Sequence, residues 1–222
     1  MDMHHPLKVY EEELADLQGL VLELGNLALE QLNKAIKTFE DNDPEKAEAI
    51  IKMDEKINDL EHEVDKMSLM IITKMEPKAA DLRYVLTASK IASDLERIAD
   101  YAKSIAKKGK RGFAEEHAQH LGYVQHMGQE LTAMLTSILE AFKELSVEKA
   151  LDVWHSDSNV DALFKEGVTG MKDCVEAEDL EGKGFISLLF TMRCLERVGD
   201  HITNIAEHIY FIKYAEYFAG KK

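Results

Sequence analysis

Apolar residues return every three or four positions along most of this chain, and the interruptions are few. From Pro6 to about Glu40, Leu14, Leu17, Val21, Leu24, Ala28, Leu32, Ala35 and Phe39 keep the period of one helical face. Asp41-Asn42-Asp43-Pro44 closes that run and opens the next, because Asp43 can cap a helix whose first position suits Pro44. The second helix is predicted from Pro44 to about Met75, with room for a break near Met53-Asp54. Glu76-Pro77 stops it, since proline has no N–H and restricts the residue before it. A third helix runs from about Ala79 to Lys107.

Lys107-Lys108-Gly109-Lys110-Arg111-Gly112 then breaks the pattern with glycines and cations beside a helix C-terminus, where positive charge suits the helix dipole. The domain boundary is placed there: residues 1–108 form one unit, 109–112 a solvated basic linker and 113–222 a second unit. Three further helices are predicted, from about Phe113 to Lys143, Val147 to Ala177 and Gly184 to Phe218. On the last, Leu188, Met192, Leu195, Gly199, Ile202, Ala206 and Ile209 form a core seam. Phe211 and Tyr214 are expected to be buried in the same bundle, and Met67, Met70, Met75 and Met171 to be adaptable core.

The halves also share letters. Leu95-Glu96-Arg97-Ile98-Ala99-Asp100 aligns with Leu195-Glu196-Arg197-Val198-Gly199-Asp200 at an offset of 100 residues, which holds on to Ile105-Ala106 against Ile205-Ala206. In the middle helices, Asp54 to Asn58 corresponds to Asp157 to Asp161. A period this long is a duplicated domain, because solenoid units run about 20–50 residues. The fold class is therefore all-α, two tandem, sequence-related antiparallel three-helix bundles.

Composition narrows the partners. The 222 residues hold 42 acidic against 27 basic side chains, a net charge of −15, which argues against a nucleic-acid interface. Two cysteines, Cys174 and Cys194, build neither a disulfide framework nor a Cys-rich zinc site, and a reducing cytoplasm is the economical location. With no long apolar run, the chain is expected to be neither secreted nor membrane-spanning.

Candidate chemistry lies beside the seam of the last helix, where Glu196, Asp200, Thr203 or Asn204, and Glu207 make a stripe of oxygen ligands. Carboxylates at i and i+4 repel unless something joins them. Arg197 and Arg97, each three residues before an aspartate, are one compensation. The duplication favours another, a cation shared between helices: Glu196, Asp200, Asn204 and Glu207 with Asp157 and Asp161 in the second half, and Glu96 and Asp100 with Asp54 in the first. Such donors suit Mg, Mn or Fe, and less specifically Zn or Ni. Asn58, Ser104 and Lys107 stand where the second half has Asp161, Asn204 and Glu207, so the second half is predicted to be the stronger metal site. Of the nine histidines, His155 and the pair His201 and His208 at i, i+7 are candidate metal ligands, and only His201 adjoins the stripe; His4, His5, His117, His120 and His126 are assigned no role.

No Glu-x-x-His, Walker A loop, Gly-x-Gly-x-x-Gly, His-Glu-x-x-His or Gly-x-Ser-x-Gly occurs, which favours a regulator over an enzyme. Two other readings compete. One is a carboxylate-bridged metal-storage or metalloenzyme bundle; the other is a plain helical dimerisation module with Arg-paired acids.

Taken together, Tyr10-Glu11-Glu12-Glu13-Leu14, Asp81-Leu82-Arg83, the doubled Leu-Glu-Arg motif and Asp200-His201-Ile202-Thr203-Asn204-Ile205-Ala206-Glu207 resemble the PhoU family of phosphate-uptake regulators over nearly the whole chain. The resemblance implies a bacterial cytoplasmic protein that signals phosphate sufficiency and represses the phosphate-starvation response. It implies contacts with the ATPase of the phosphate ABC transporter and with the phosphate-sensing histidine kinase, and membrane association only through them. It further implies bound metal, iron first, at the Glu-x-x-x-Asp motifs, and a homodimer.

Overall fold

The structure, a computed structural model, describes residues 6–41, 44–109, 118–176 and 182–220. It consists of six helices: α1 (Pro6–Asp41), α2 (Pro44–Met75), α3 (Ala80–Gly109), α4 (Ala118–Glu144), α5 (Val147–Glu176) and α6 (Gly182–Tyr214). No strand occurs among the described residues. Helices α1–α3 pack on one another as one bundle and α4–α6 as a second.

The helix ends follow local chemistry. Pro44 opens α2, where its fixed φ suits a first turn and its missing N–H costs nothing. The helix then runs unbroken through Met53-Asp54 to Met75, so the break allowed there is absent; Pro77 bars continuation soon after. Helix α3 carries Asp81 in its first turn and Lys107 and Lys108 in its last, each on the favourable end of the dipole. Between α4 and α5, Leu145 turns to φ 51°, and the Ser146 N–H reaches back to the Ala141 carbonyl at 2.9 Å.

The apolar stripe read from α1 is the core face: Leu17, Val21, Leu24, Ala28, Leu32, Ala35 and Phe39 are buried, with Leu14 half-buried. All seven seam residues of α6 are buried. Two predictions at chain ends are corrected. Gly109 belongs to α3, not to a linker; a side chain there would overlap Thr38, so the glycine lets the end of α3 press on α1. Residues 110–117 lie outside those described. Helix α6 stops at Tyr214 rather than Phe218, because Ala215 takes φ 59° and its N–H closes on the Phe211 carbonyl at 2.9 Å. Tyr214 is 54% exposed and not buried; its ring rests on Tyr210 at 4.7 Å.

The bundles share one continuous core. Helices α1 and α4 meet antiparallel where Gly25 faces Leu139 and Gly128 faces Ile36, close approaches that a Cβ would block. Asn33 accepts from the Thr132 hydroxyl at 2.7 Å across the same contact. Helices α3 and α6 also run antiparallel. Lys108 lies over Phe190 at one end, and at the other the Arg83 Nε–H donates to the Ile212 carbonyl at 3.4 Å.

Candidate functional site

The carboxylates predicted from the repeat gather along two seams, α5 with α6 and α2 with α3. On the second-half seam, Asp157 is 3% exposed, and its carboxylate lies against Gly199, where a Cβ would overlap it. One turn on, Asp161 faces Glu196 closely enough for its charge to act on it. Arg193 Nη1 lies 2.7 Å from Glu196 Oε1, and Arg197 Nη1 lies 3.1 Å from Asp200 Oδ2. Glu196 Oε2 is buried without a hydrogen bond, 3.8 Å from Arg197 Nε. Burial first, then the charges of Asp200 and Asp161, push the Glu196 carboxyl above its usual range, against Arg193 and Arg197.

The first-half seam has the same parts and a different cation. Arg97 lies 3.4 Å from Glu96 and 3.1 Å from Asp100, repeating the second-half arrangement, so the arginine compensation read from the sequence is present in both halves. Burial, then Asp100, raise the Glu96 carboxyl, with further contributions from Glu61 and Asp54. Asp54, 5% exposed, pairs with the Lys103 ammonium, which reaches it from α3. Asn58 Oδ1 is buried without a partner within the protein.

Two predicted ligands are drawn elsewhere. Asn204 turns toward α3 and donates to Asp94 Oδ1 at 3.2 Å. Glu207 stays on the α5 seam but accepts the indole N–H of Trp154 at 3.2 Å. Among the described residues, no three His, Cys, Asp or Glu side chains stand close enough to hold a metal ion. The donor chemistry nonetheless fits a hard divalent cation. Asp157, Asp161, Glu196 and Asp200 are all oxygen donors, one buried oxygen lacks a hydrogen bond, and the competing Arg193 and Arg197 are 47% and 46% exposed. Those exposed guanidiniums must swing out for the carboxylates to close on an ion.

Sequence reasoning missed a cluster that joins the bundles. Asp94 on α3 meets His201 Nδ1 at 2.8 Å and His208 Nε2 at 3.2 Å, both from α6, in addition to Asn204. Burial alone would raise the Asp94 carboxyl, but the hydrogen bonds from His201, His208 and Asn204 outweigh it and hold the carboxyl below its usual range. The seven-residue spacing that puts His201 and His208 on one helical face marks them as candidate metal ligands, whereas the structure gives both to Asp94, a partner on another helix that the spacing does not point to. Lys103 was missed as well, although its counterpart at the repeat offset, Thr203, shows the asymmetry.

Comparison with known proteins agrees with the doubled architecture. The PhoU domain model matches residues 21–109 and again 124–209. The phosphate-specific transport system accessory protein PhoU homolog of Clostridium acetobutylicum is 32% identical over 92% of this chain and 94% of its own length. That of Caulobacter vibrioides is 34% identical over 93% and 90%. The crystal structure of PhoU from Pseudomonas aeruginosa superposes with a TM-score of 0.85 at 28% identity, covering 93% of this chain and all of that one. The Streptococcus pneumoniae phosphate transport system regulatory protein PhoU gives 0.83 at 28% identity, covering 94% and 99%.

Proposed function

The chain belongs to the PhoU family, and on that premise we propose that it is a cytoplasmic, non-enzymatic regulator that represses the phosphate-starvation response while phosphate is plentiful. Its relatives are accessory proteins of the phosphate-specific transport system. The observation that carries the reading is the double match: both repeats correspond to the family domain, in a chain that covers its relatives almost from end to end. No described helix is long and apolar enough to cross a membrane, so action on a transporter requires docking on its exposed parts.

The proposed partners are the ATPase of the phosphate ABC transporter and the phosphate-sensing histidine kinase. Two joined bundles offer two similar surfaces on one scaffold. The first turns of α6 expose Ile186, Leu189 and Phe190, with Lys108 over the Phe190 ring, which is apolar surface suited to a protein contact. A divalent cation, iron or manganese, is proposed on Asp157, Asp161, Glu196 and Asp200, where it would neutralise like charges and tie α5 to α6. The carboxylates supply that site, and Arg193 and Arg197 hold it closed until an ion arrives.

The test is deletion of the gene in its own host with a phosphate-starvation promoter reporter. Reporter activity in phosphate-rich medium is expected to rise and to return to baseline on complementation. The purified protein is expected to capture the purified ATPase and the kinase's cytoplasmic region. An unmoved reporter together with no capture of either protein would overturn the proposal.

A further inference from the structure

The two halves differ at one position in a way that assigns them different dependence on cations. At the repeat offset, Lys103 corresponds to Thr203. The Lys103 ammonium, on α3, sits on the buried carboxylate of Asp54, on α2. Thr203 is buried and carries no charge, and its hydroxyl donates to the Asp200 carbonyl of its own helix at 2.8 Å. The second half therefore has no tethered cation at the position from which the first half supplies one. Its arginines lie at the exposed edge, while Glu196 Oε2 is buried without a hydrogen bond.

We infer that Lys103 is a built-in counter-cation that fills the first-half carboxylate site and keeps exogenous divalent ions out of it, leaving the second half alone to respond to metal. A tethered ammonium competes at a high effective concentration, so an ion from solution must displace it from the buried Asp54 carboxylate, although the lysine side chain itself is 26% exposed. Asp100 and Glu96 also favour the charged lysine, after the hydrogen bond that it donates to Asp54, so the lysine serves the cluster and not one partner. The consequence is a division of labour. The α2–α3 seam is closed at all metal concentrations, and the α5–α6 seam is closed by metal. This inference rests on the proposal that the second-half carboxylates take a divalent cation.

The experiment titrates the chelator-treated full-length protein with Mn²⁺, following free Mn²⁺ by electron paramagnetic resonance. Wild type is compared with Lys103→Thr, which copies the second half, and Lys103→Gln, which retains a donor for Asp54. Wild type is expected to show one class of sites, lost in Glu196→Gln/Asp200→Asn. Both lysine variants are expected to bind about twice as much Mn²⁺ at saturation, the gain vanishing on addition of Glu96→Gln/Asp100→Asn. Lys103→Thr should melt earlier than wild type in EDTA and recover with Mn²⁺.

Folded lysine variants that bind no more Mn²⁺ than wild type would overturn the inference while leaving second-half binding intact. A gain in the variants with no binding by wild type would sink the second-half site and keep the role of Lys103. Loss of helical circular dichroism in both variants even with Mn²⁺ would show that a free cation cannot replace the lysine, and the inference would fall.

Discussion

Asp157 and Gly199 pack in direct contact: the aspartate carboxylate lies so near the Gly199 Cα that the Cβ of any other residue at 199 would overlap it. The first repeat has Ala99 at the matching position, and its Asp54 is held by Lys103 instead. Glycine in a helix interior costs about 1 kcal/mol relative to alanine, so a buried helical glycine calls for a steric reason, and Asp157 supplies it. Gly199→Ala is therefore expected to lower stability by roughly 1–3 kcal/mol in urea melts despite its better helix propensity. A more stable variant would show that Asp157 moves aside freely.

Asp94 holds α3 to α6 through His201, His208 and Asn204, so its replacement tests the joint between the bundles. Asp94→Asn is expected to cost about 2–3 kcal/mol at neutral pH, because charged-acceptor hydrogen bonds are lost from a largely buried site. The Asp94 carboxyl is held below its usual range. Its stabilisation is therefore complete above the ordinary carboxylate range and is lost as pH falls through the depressed folded value. The gap between wild type and variant should narrow on acidification in that window, as read from melts across a pH series. A gap that stayed constant into strong acid would place the effect in packing.

The helices were legible because their signals are local. The 3-4 spacing in α1 and α6, Pro44 and Pro77, and the doubled Leu-Glu-Arg motif each act within a turn or two of their own position. The partition of the acidic stripe was less legible, because it depends on which helix lies opposite. Asn204 and Glu207 share a helix with Glu196 and Asp200, yet Asn204 faces Asp94 on α3 and Glu207 faces Trp154 on α5. Lys103 went unread for the same reason: its partner Asp54 is 49 residues away. Tyr214 was misjudged because its aromatic character suggested burial, while the turn at Ala215 ends the helix and leaves it on the surface.

Tyr10 and Arg83 give the Asp81-Leu82-Arg83 segment a structural task. The Tyr10 hydroxyl donates to Asp81 Oδ2 at 2.9 Å, tying the start of α1 to the start of α3, and Arg83 binds the last turn of α6. Burial, then the hydrogen bond to Asp81 and its charge, push the Tyr10 phenol up to about 12. Its contribution is intact at neutral pH and drains away as pH rises through that value. Tyr10→Phe is expected to cost about 1 kcal/mol at pH 7 and to remove one late-ionising phenol from an ultraviolet titration. A loss of amplitude in the ordinary phenol range, with the late ionisation left undiminished, would mean that Tyr10 is not held up by Asp81.

Trp154 is the chain's single tryptophan, and its setting makes it a reporter for the α5–α6 seam. It is 5% exposed, packed edge-on against Phe218 at 5.1 Å, with its indole N–H on Glu207 Oε1. Glu207→Gln keeps an acceptor and should leave both emission and stability close to wild type. Glu207→Ala strands a buried donor and should shift the emission and cost about 1–2 kcal/mol. The same signal separates two ligand sets for the proposed cation. If Glu207 joins Asp157 and Glu196 on an added Mn²⁺, the indole loses its acceptor and Glu207→Ala weakens binding. If Glu207 stays with Trp154, Glu207→Ala binds Mn²⁺ as wild type does, and the ligands narrow to Asp157, Asp161, Glu196 and Asp200. The geometry favours the second outcome, because Glu207 already has a specific buried partner, whereas the groups on Glu196 and Asp200 are exposed arginines that can leave at little cost.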